Sequence, residues 1–540
     1  IEKLFNKRLH EFYGTLAFHY SKAGAIEKAE EYMMKAGDEA LRSSASSEAL
    51  NYFQEALQLY QTKYKDDVEP DKLAFFEKNI SLALYNKGRW SEAVKYLDIV
   101  LERWGAPLPK RGPLRILKLI RDMLVLMKAV HWKLPNSIRI PGERDIEIHE
   151  LHYRAAEALA FVDNIRQFQV TLADFRRIVK LDLAKIPKLW GYWAGVAAMF
   201  SVGGVSSFNL SNRLLEASSR FRVHEDVVDR IRHSAFSCMV HHYQGTWKEI
   251  QDLDWKLTSS SIEVGELFHS SEYLWFSGLV RGEQGDFEHL KMIIDKLFEM
   301  GETYDYTYSV VLAHILKADY FIRRKSGHEA LSEAEKSIFY SRQQNSELNE
   351  MMGMAYKAMA QQVRGDEEGA HETILQALEI YKTQSWMVLP AFVAPFLVAR
   401  FLIAIEELKN TISSGISLDV ERIRKHAYEV SKEAVRNSRK YAPYRTKILA
   451  LMGDYYWLVN KPGKALKWWS KAIQEGENLN ARPDLSRIYF EVGKHLKEPQ
   501  SKYKDLNNIG ARGYLEKAEN MFKEMDLKPD LKELDMVVSN

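Results

Sequence analysis

One cysteine, Cys238, stands in 540 residues. It has no partner for an internal disulfide, and the expectation is a reducing, cytoplasmic setting. Charge of one sign is missing too: 76 Lys and Arg face 74 Asp and Glu, a formal net charge of +2. A dedicated nucleic-acid binder carries a strong basic excess, so no nucleic-acid partner is expected. The sequence contains no Gly-x-x-x-x-Gly-Lys-Ser/Thr loop, which excludes a P-loop, and no Gly-x-Gly-x-x-Gly following a strand. No segment alternates apolar and polar residues in the way a half-buried strand does. The chain begins at Ile1 and has no charged-then-apolar leader. The expectation is therefore a piece of a longer product.

Long apolar runs are scarce. Leu189 to Asn212 carries no formal charge and is long enough to span a bilayer. Its centre holds Gly203 and Gly204 among Ser201, Ser206 and Ser207. Paired glycines there read as a turn between two buried helices, so no membrane span is expected. Trp386 to Ala399 is apolar but short, and Pro390 and Pro395 are expected to break it into a buried bend.

What is present is one pattern that returns: a small or apolar residue, an aromatic, a glycine, then Ala, aromatic, Ala. Its clearest copy runs Met452, Gly453, Tyr456, Ala465, Trp468, Trp469, Ala472. Others are Leu16, Ala17, Tyr20, Gly24, Ala29, Tyr32, Ala36; Ile80, Gly88, Trp90, Ala93, Tyr96; and Ala358, Gly365, Ala370, Ile374, Ala377. This spacing is that of the tetratricopeptide helical hairpin, which repeats about every 34 residues. The expected fold is all-α: stacked antiparallel hairpins in a right-handed superhelix. A chain this long needs no single compact core, because each repeat packs on its neighbours.

Four segments are expected. Residues 1–106 form N-terminal hairpins, with breaks near Gly24, Ser43–Ser47, Lys65–Pro70 and Gly88. Residues 107–145 form a Pro/Gly-rich linker around a basic amphipathic helix, Leu114 to Lys133, carrying Arg115, Lys118, Arg121 and Lys128; its apolar side is expected to pack on the next domain. Residues 146–410 form a central array with turns at Gly203–Gly204, Gly245, Gly285, Gly327 and Gly365. Residues 411–540 form C-terminal repeats that loosen first at Thr411–Ser417 and end in a fraying tail after Pro529.

No constellation points to catalysis, and the chain is not read as an enzyme. His149 and His152 share a helix face but lack a third ligand, and adjacent His241 and His242 point to different faces. No metal and no cofactor is called for. Cys238 reads as a small buried hydrophobe. Arg439 to Arg445 mixes basic and aromatic residues near Trp457, Trp468 and Trp469, but the last two hold packing positions. Asp-rich motifs of a helical-toroid enzyme are missing, and irregular repeat lengths oppose an RNA-reading array. The expected function is recognition by the inward face of the first helices. By register that face includes Phe18, Lys78, Tyr85, Trp275, Asp454 and Trp457. The Lys-then-Asn clamp for acidic C-terminal tails is absent: its positions hold Lys78 and Leu82, or Ala450 and Asp454.

Several segments resemble a known family. Leu16 to Leu59 contains His19-Tyr20-Ser21-Lys22-Ala23-Gly24, Lys28-Ala29, Lys35-Ala36-Gly37-Asp38-Glu39-Ala40, Glu48-Ala49-Leu50 and Glu55-Ala56-Leu57. Lys440 to Gly493 contains Pro443, Arg445, Gly453, Ala465, Trp469, Ala472, Arg482-Pro483, Leu485, Arg487, Tyr489, Glu491 and Gly493. Tyr514 to Ala518 and Phe522 to Met525 continue it. Together they resemble the tetratricopeptide tail of AAA/STAND-type signalling ATPases linked to class III adenylate/guanylate cyclase domains. The agreement is sharp at the two ends, whereas Asp163 to Glu406 departs from strict repeat residues. The resemblance implies a regulatory sensor that binds a protein, peptide or effector, or the upstream domains of its own polypeptide, and controls an attached catalytic module. Similar tails occur in maltose-activator-type transcription regulators, which is the alternative reading.

Overall fold

A computed structural model describes residues 1–65, 68–110, 112, 115–131, 139–222, 226–250, 252–383, 389–414, 420–498 and 501–539. Among the described residues, 25 α-helices carry the fold. The architecture is the expected tetratricopeptide-like superhelix of helical hairpins. One continuous hydrophobic core runs from Ala40 to Leu534, with a second cluster around Trp193.

The helices end where the chain turns left-handed. Positive φ recurs at Gly245, Gly265, Gly285, Asp305, Lys325, Asn345 and Gly365, 20 residues apart each time. At these ends the next amide reaches back five residues: Glu266 N–H donates to the Ser261 carbonyl at 2.9 Å, Asp286 to Arg281 at 2.9 Å and Ser346 to Ser341 at 3.0 Å. This is the Schellman cap, which satisfies carbonyls the helix leaves free. Helices such as Leu267–Gln284, Phe287–Thr303, Thr307–Arg323, Gly327–Gln343 and Glu347–Arg364 are therefore 17 or 18 residues long. The central hairpin repeats every 40 residues, longer than the period of about 34 expected from the end repeats. Each helix has gained most of a turn.

Within hairpins the small-against-large pairing holds. A Cβ on Gly453 would lie 2.2 Å from the Trp469 ring, so only glycine lets these helices meet. Ala465 and Ala472 beside Trp469 are wholly buried.

The superhelix folds back on itself. Turns on one edge of the central array meet the N-terminal repeats: Ser47 donates to Asp305 at 2.8 Å, and Gln344 abuts Gly88. Turns on the other edge meet the C-terminal repeats. Ala442 N–H donates to the Tyr243 carbonyl at 2.9 Å, Gly285 lies against Met525 and Pro483, and Lys325 pairs with Glu533 at 2.7 Å. The two ends thus flank the middle, and the coil encloses an interior.

Four local expectations are corrected. Pro390 does not break a helix but opens one, Pro390–Ser413, at the position where no N–H is needed. Pro395 lies inside that helix, where it deprives the Ala391 carbonyl of its helical donor. Gly327 is the first residue of a helix, and the left-handed turn residue is Lys325. The tail after Pro529 does not fray: Lys528–Ser539 is helical, anchored by Asp530 on Arg487 at 2.9 Å. A two-strand hairpin, Asp505–Leu506 with Ile509–Gly510, turns through Asn507 and Asn508, both at positive φ, as a type I′ turn demands. The charge-free run is two helices, Leu189–Ser201 and Val205–Ser218, joined at Gly203–Gly204. Among the described residues no helix is long and apolar enough to cross a membrane. Helix Arg115–His131 buries Leu126 and Ala129 but leaves Ile116, Leu117, Ile120 and Leu124 exposed. Trp386 and Ile416–Ser417, parts of two expected irregular stretches, lie outside the described residues.

Candidate functional site

The enclosed interior has two parts. The first is a charged groove of about 440 Å³, where helices of the C-terminal repeats face the central array. Asp454 and Trp457, one turn apart on helix Arg445–Leu458, stand in its wall. Burial pushes the Asp454 carboxyl up to about 7, and the neighbouring Glu491 adds to the effect. The Trp469 indole N–H, donating to Asp454 Oδ1 at 3.0 Å, works against it. Among the described residues Asp454 has no ion-pair partner. Trp457 lies against the His495 ring at a tilt of 35°, 4.3 Å between centroids. Further along, burial lowers Lys447, with Arg323 and Arg487 adding to that and Asp484 opposing it. Asp484 Oδ2 has no hydrogen-bond partner.

The second part is an apolar cavity of about 130 Å³ in the middle of the molecule. Its wall takes residues from helices as far apart as Glu143–Leu159 and Arg445–Leu458's leading turn at Tyr441–Tyr444. Beneath it lies a buried charge network. Arg232 donates to Glu150 at 2.6 Å and to Glu266 at 2.8 Å. Arg154 joins Glu266 at 2.8 Å. His269 contacts Glu157 and, at 3.3 Å, Glu266. Burial depresses His269, but Glu157 and Glu266 more than offset it and hold the imidazole above its usual value. Three carboxylates thus face three cations.

Glu272 is the extra acid. It accepts from Tyr308 Oη at 2.6 Å and has no basic partner among the described residues. Burial raises it to about 7; the Tyr308 hydrogen bond and His269 oppose this, and Glu157 reinforces it. A carboxyl whose folded pKa lies above its unfolded one binds more protons when folded between those values. Stability then falls as pH rises from about 4.5 towards 7. Glu272→Gln is accordingly expected to melt higher than the parent near pH 8 and level with it near pH 5. Identical melting offsets at both pH values would contradict this.

The six residues expected on the recognition face do not share one surface. Phe18 is exposed on helix Tyr13–Lys22. Lys78 pairs with Glu147 at 3.1 Å. Tyr85 is 1% exposed and donates to Glu157 at 2.7 Å, so it faces the interior network and not an open groove. Trp275 lines the apolar cavity. Asp454 and Trp457 fall together in the groove, while Lys78 and Tyr85, both on helix Pro70–Asn86, turn to helix Glu143–Leu159. His149 bonds Asp174 at 2.7 Å and His152 the Ile148 carbonyl at 2.8 Å, both buried. No group of three metal-ligating side chains occurs among the described residues. Cys238 is buried 3.8 Å from Ser277, and burial raises its thiol to about 12. Glu272, Asn349 and Lys447 were not expected; no local spacing marks them, because only the coil of the superhelix brings their neighbours close.

No family model matches the sequence, and no curated protein does. Solved structures with a similar course include a chain of the APC/C hetero-tetramer Cut9-Hcn1, 13% identical, with a TM-score of 0.42 over 99% of this chain and 92% of that one.

Proposed function

We propose that this chain is a regulatory interaction scaffold whose charged groove receives a segment of a partner protein. The observation that carries the reading is the Asp454–Trp457 pair on the groove wall. An unpaired acid beside an aromatic face suits a Lys or Arg side chain, which would be held by charge and by cation–π attraction. The same acid disfavours a terminal carboxylate, in keeping with the missing clamp. Because the groove lies where C-terminal repeats meet the central array, a segment bound there touches both and favours one packing of the two. Coupling requires that difference in affinity. The finer reading, that the module so regulated is an ATPase or nucleotide cyclase on the same polypeptide, rests on the sequence resemblance of the two ends.

The test is selection of a phage-displayed peptide library on the full chain. Lys- or Arg-bearing peptides are expected to be enriched and to lose about tenfold or more in affinity on Asp454→Lys or Trp457→Ala. Phe339→Ala, at an exposed ring away from the groove, is expected to change nothing. Equal enrichment on the Trp457→Ala chain would remove the groove from consideration.

A further inference from the structure

The apolar cavity is a different space from the charged groove, and its chemistry is more specific. Its wall is dominated by aromatic rings. Phe161, Phe268 and Tyr308 stand with centroids 5.5 to 6.1 Å apart, and Phe392 joins Phe161 at 6.1 Å. Tyr308 is also the residue that anchors Glu272. Phe161 meets Phe268, Tyr308 and Phe392 edge to face, so the rings use part of their negative faces on one another; a face left open to the cavity attracts a cation that has been stripped of water.

The polar groups of the wall have the matching character. Glu272 is the one acid left over after Glu150, Glu157 and Glu266 are set against Arg154, Arg232 and His269. Asn349, 1% exposed, has neither its amide nitrogen nor its amide oxygen in a hydrogen bond among the described residues. Burying an amide without partners costs free energy, so a fold that keeps one in a cavity wall is unfinished there. Ala391, also in the wall, has a carbonyl released by Pro395. Carboxylate, amide oxygen and carbonyl are all acceptors.

We infer that this cavity binds a small organic cation: an ammonium group on an apolar body, its charge on Glu272 and its body among the rings. The size limits the body: a void of about 150 Å³ takes up one benzene, and this one, at about 130 Å³, suits an apolar body smaller than a benzene ring. A bound ammonium also removes the unpaired charge that destabilises the empty cavity at neutral pH, so the ligand stabilises the fold around it. Since the wall draws on helices of the central array and on Tyr441 and Tyr444, which lead into the C-terminal helix Arg445–Leu458, ligand occupancy would set how firmly the two hold together.

The test is calorimetric titration of the full chain near pH 8 with three probes: isobutylammonium, isopentane of the same shape without charge, and isobutyrate. Isobutylammonium is expected to bind roughly tenfold or more tightly than isopentane, with no heat from isobutyrate. Glu272→Gln is expected to abolish that preference while isopentane binding stays within about twofold. Near pH 5, where Glu272 is protonated, the parent chain is expected to lose the preference without any substitution. Equal affinity for isobutylammonium and isopentane in the parent overturns the charge assignment. Failure of all three probes overturns the cavity as a binding site. Both outcomes are independent of the peptide groove.

Discussion

Arg232→Met is expected to destabilise the folded chain by about 3–5 kcal/mol, the usual cost of stranding buried carboxylates. The Arg232 side chain is 2% exposed and forks between Glu150 and Glu266, its Cζ 4.5 Å from the centroid of the Tyr153 ring. Methionine keeps much of the volume and none of the charge. Glu150 and Glu266 would then share Arg154, already engaged at 3.1 and 2.8 Å, with His269 beside Glu266 at 3.3 Å and itself committed to Glu157. Arg232→Lys keeps the charge but loses the two-pronged geometry, and an intermediate loss is expected. Adding Glu266→Gln to Arg232→Met restores the balance and is expected to return part of the stability. Urea denaturation followed by circular dichroism reads all four chains. If the double variant is no better than Arg232→Met, lost packing and not charge is the cause.

Trp469→Ala carries the second large effect, about 3–5 kcal/mol, the range for emptying a buried aromatic site. The ring fills the space between its own helix, Pro462–Leu479, and helix Arg445–Leu458. Gly453→Ala is expected to cost about 1–3 kcal/mol by overpacking the same spot. The two are not independent. In the double variant the new methyl group enters the space the indole has left, so its cost is expected to fall well short of the sum. Strict additivity in denaturation midpoints would mean the two side chains do not meet. Trp469→Ala also removes the N–H that holds the Asp454 carboxylate. The Asp454 titration should then move further up, which carboxyl NMR can follow.

The hairpins were legible because close helix approach has few solutions. Gly453 opposite Trp469, and Ala29 and Ala36 along one face, announce it in any order of reading. Turns were legible where glycine marks them, at Gly245, Gly285 and Gly365. They were missed at Gly265, and at Asp305 and Asn345, which adopt the same left-handed backbone without glycine; the turn at Lys325 was expected two residues late, at Gly327. Every second turn was therefore legible, and what stayed hidden was the helix boundary between each pair. Pro395 misled for a related reason: the rule that proline breaks helices concerns a single hydrogen bond, and burial around Phe396 and Ala399 outweighs one bond. Of the expected recognition residues, Asp454 and Trp457 came together because residues three apart on one helix share a face. Tyr85 went to the interior because its partner, Glu157, arrives from a distant helix.

Local side-chain size and turn chemistry, both short-range, settled by themselves that this chain is a series of antiparallel helix pairs. The return of the C-terminal repeats onto the central array, the enclosed interior and the surplus acid at Glu272 were decided by tertiary structure. They depend on the small rotation from each pair to the next, summed over many repeats, and no stretch of sequence short enough to show a pattern contains that sum.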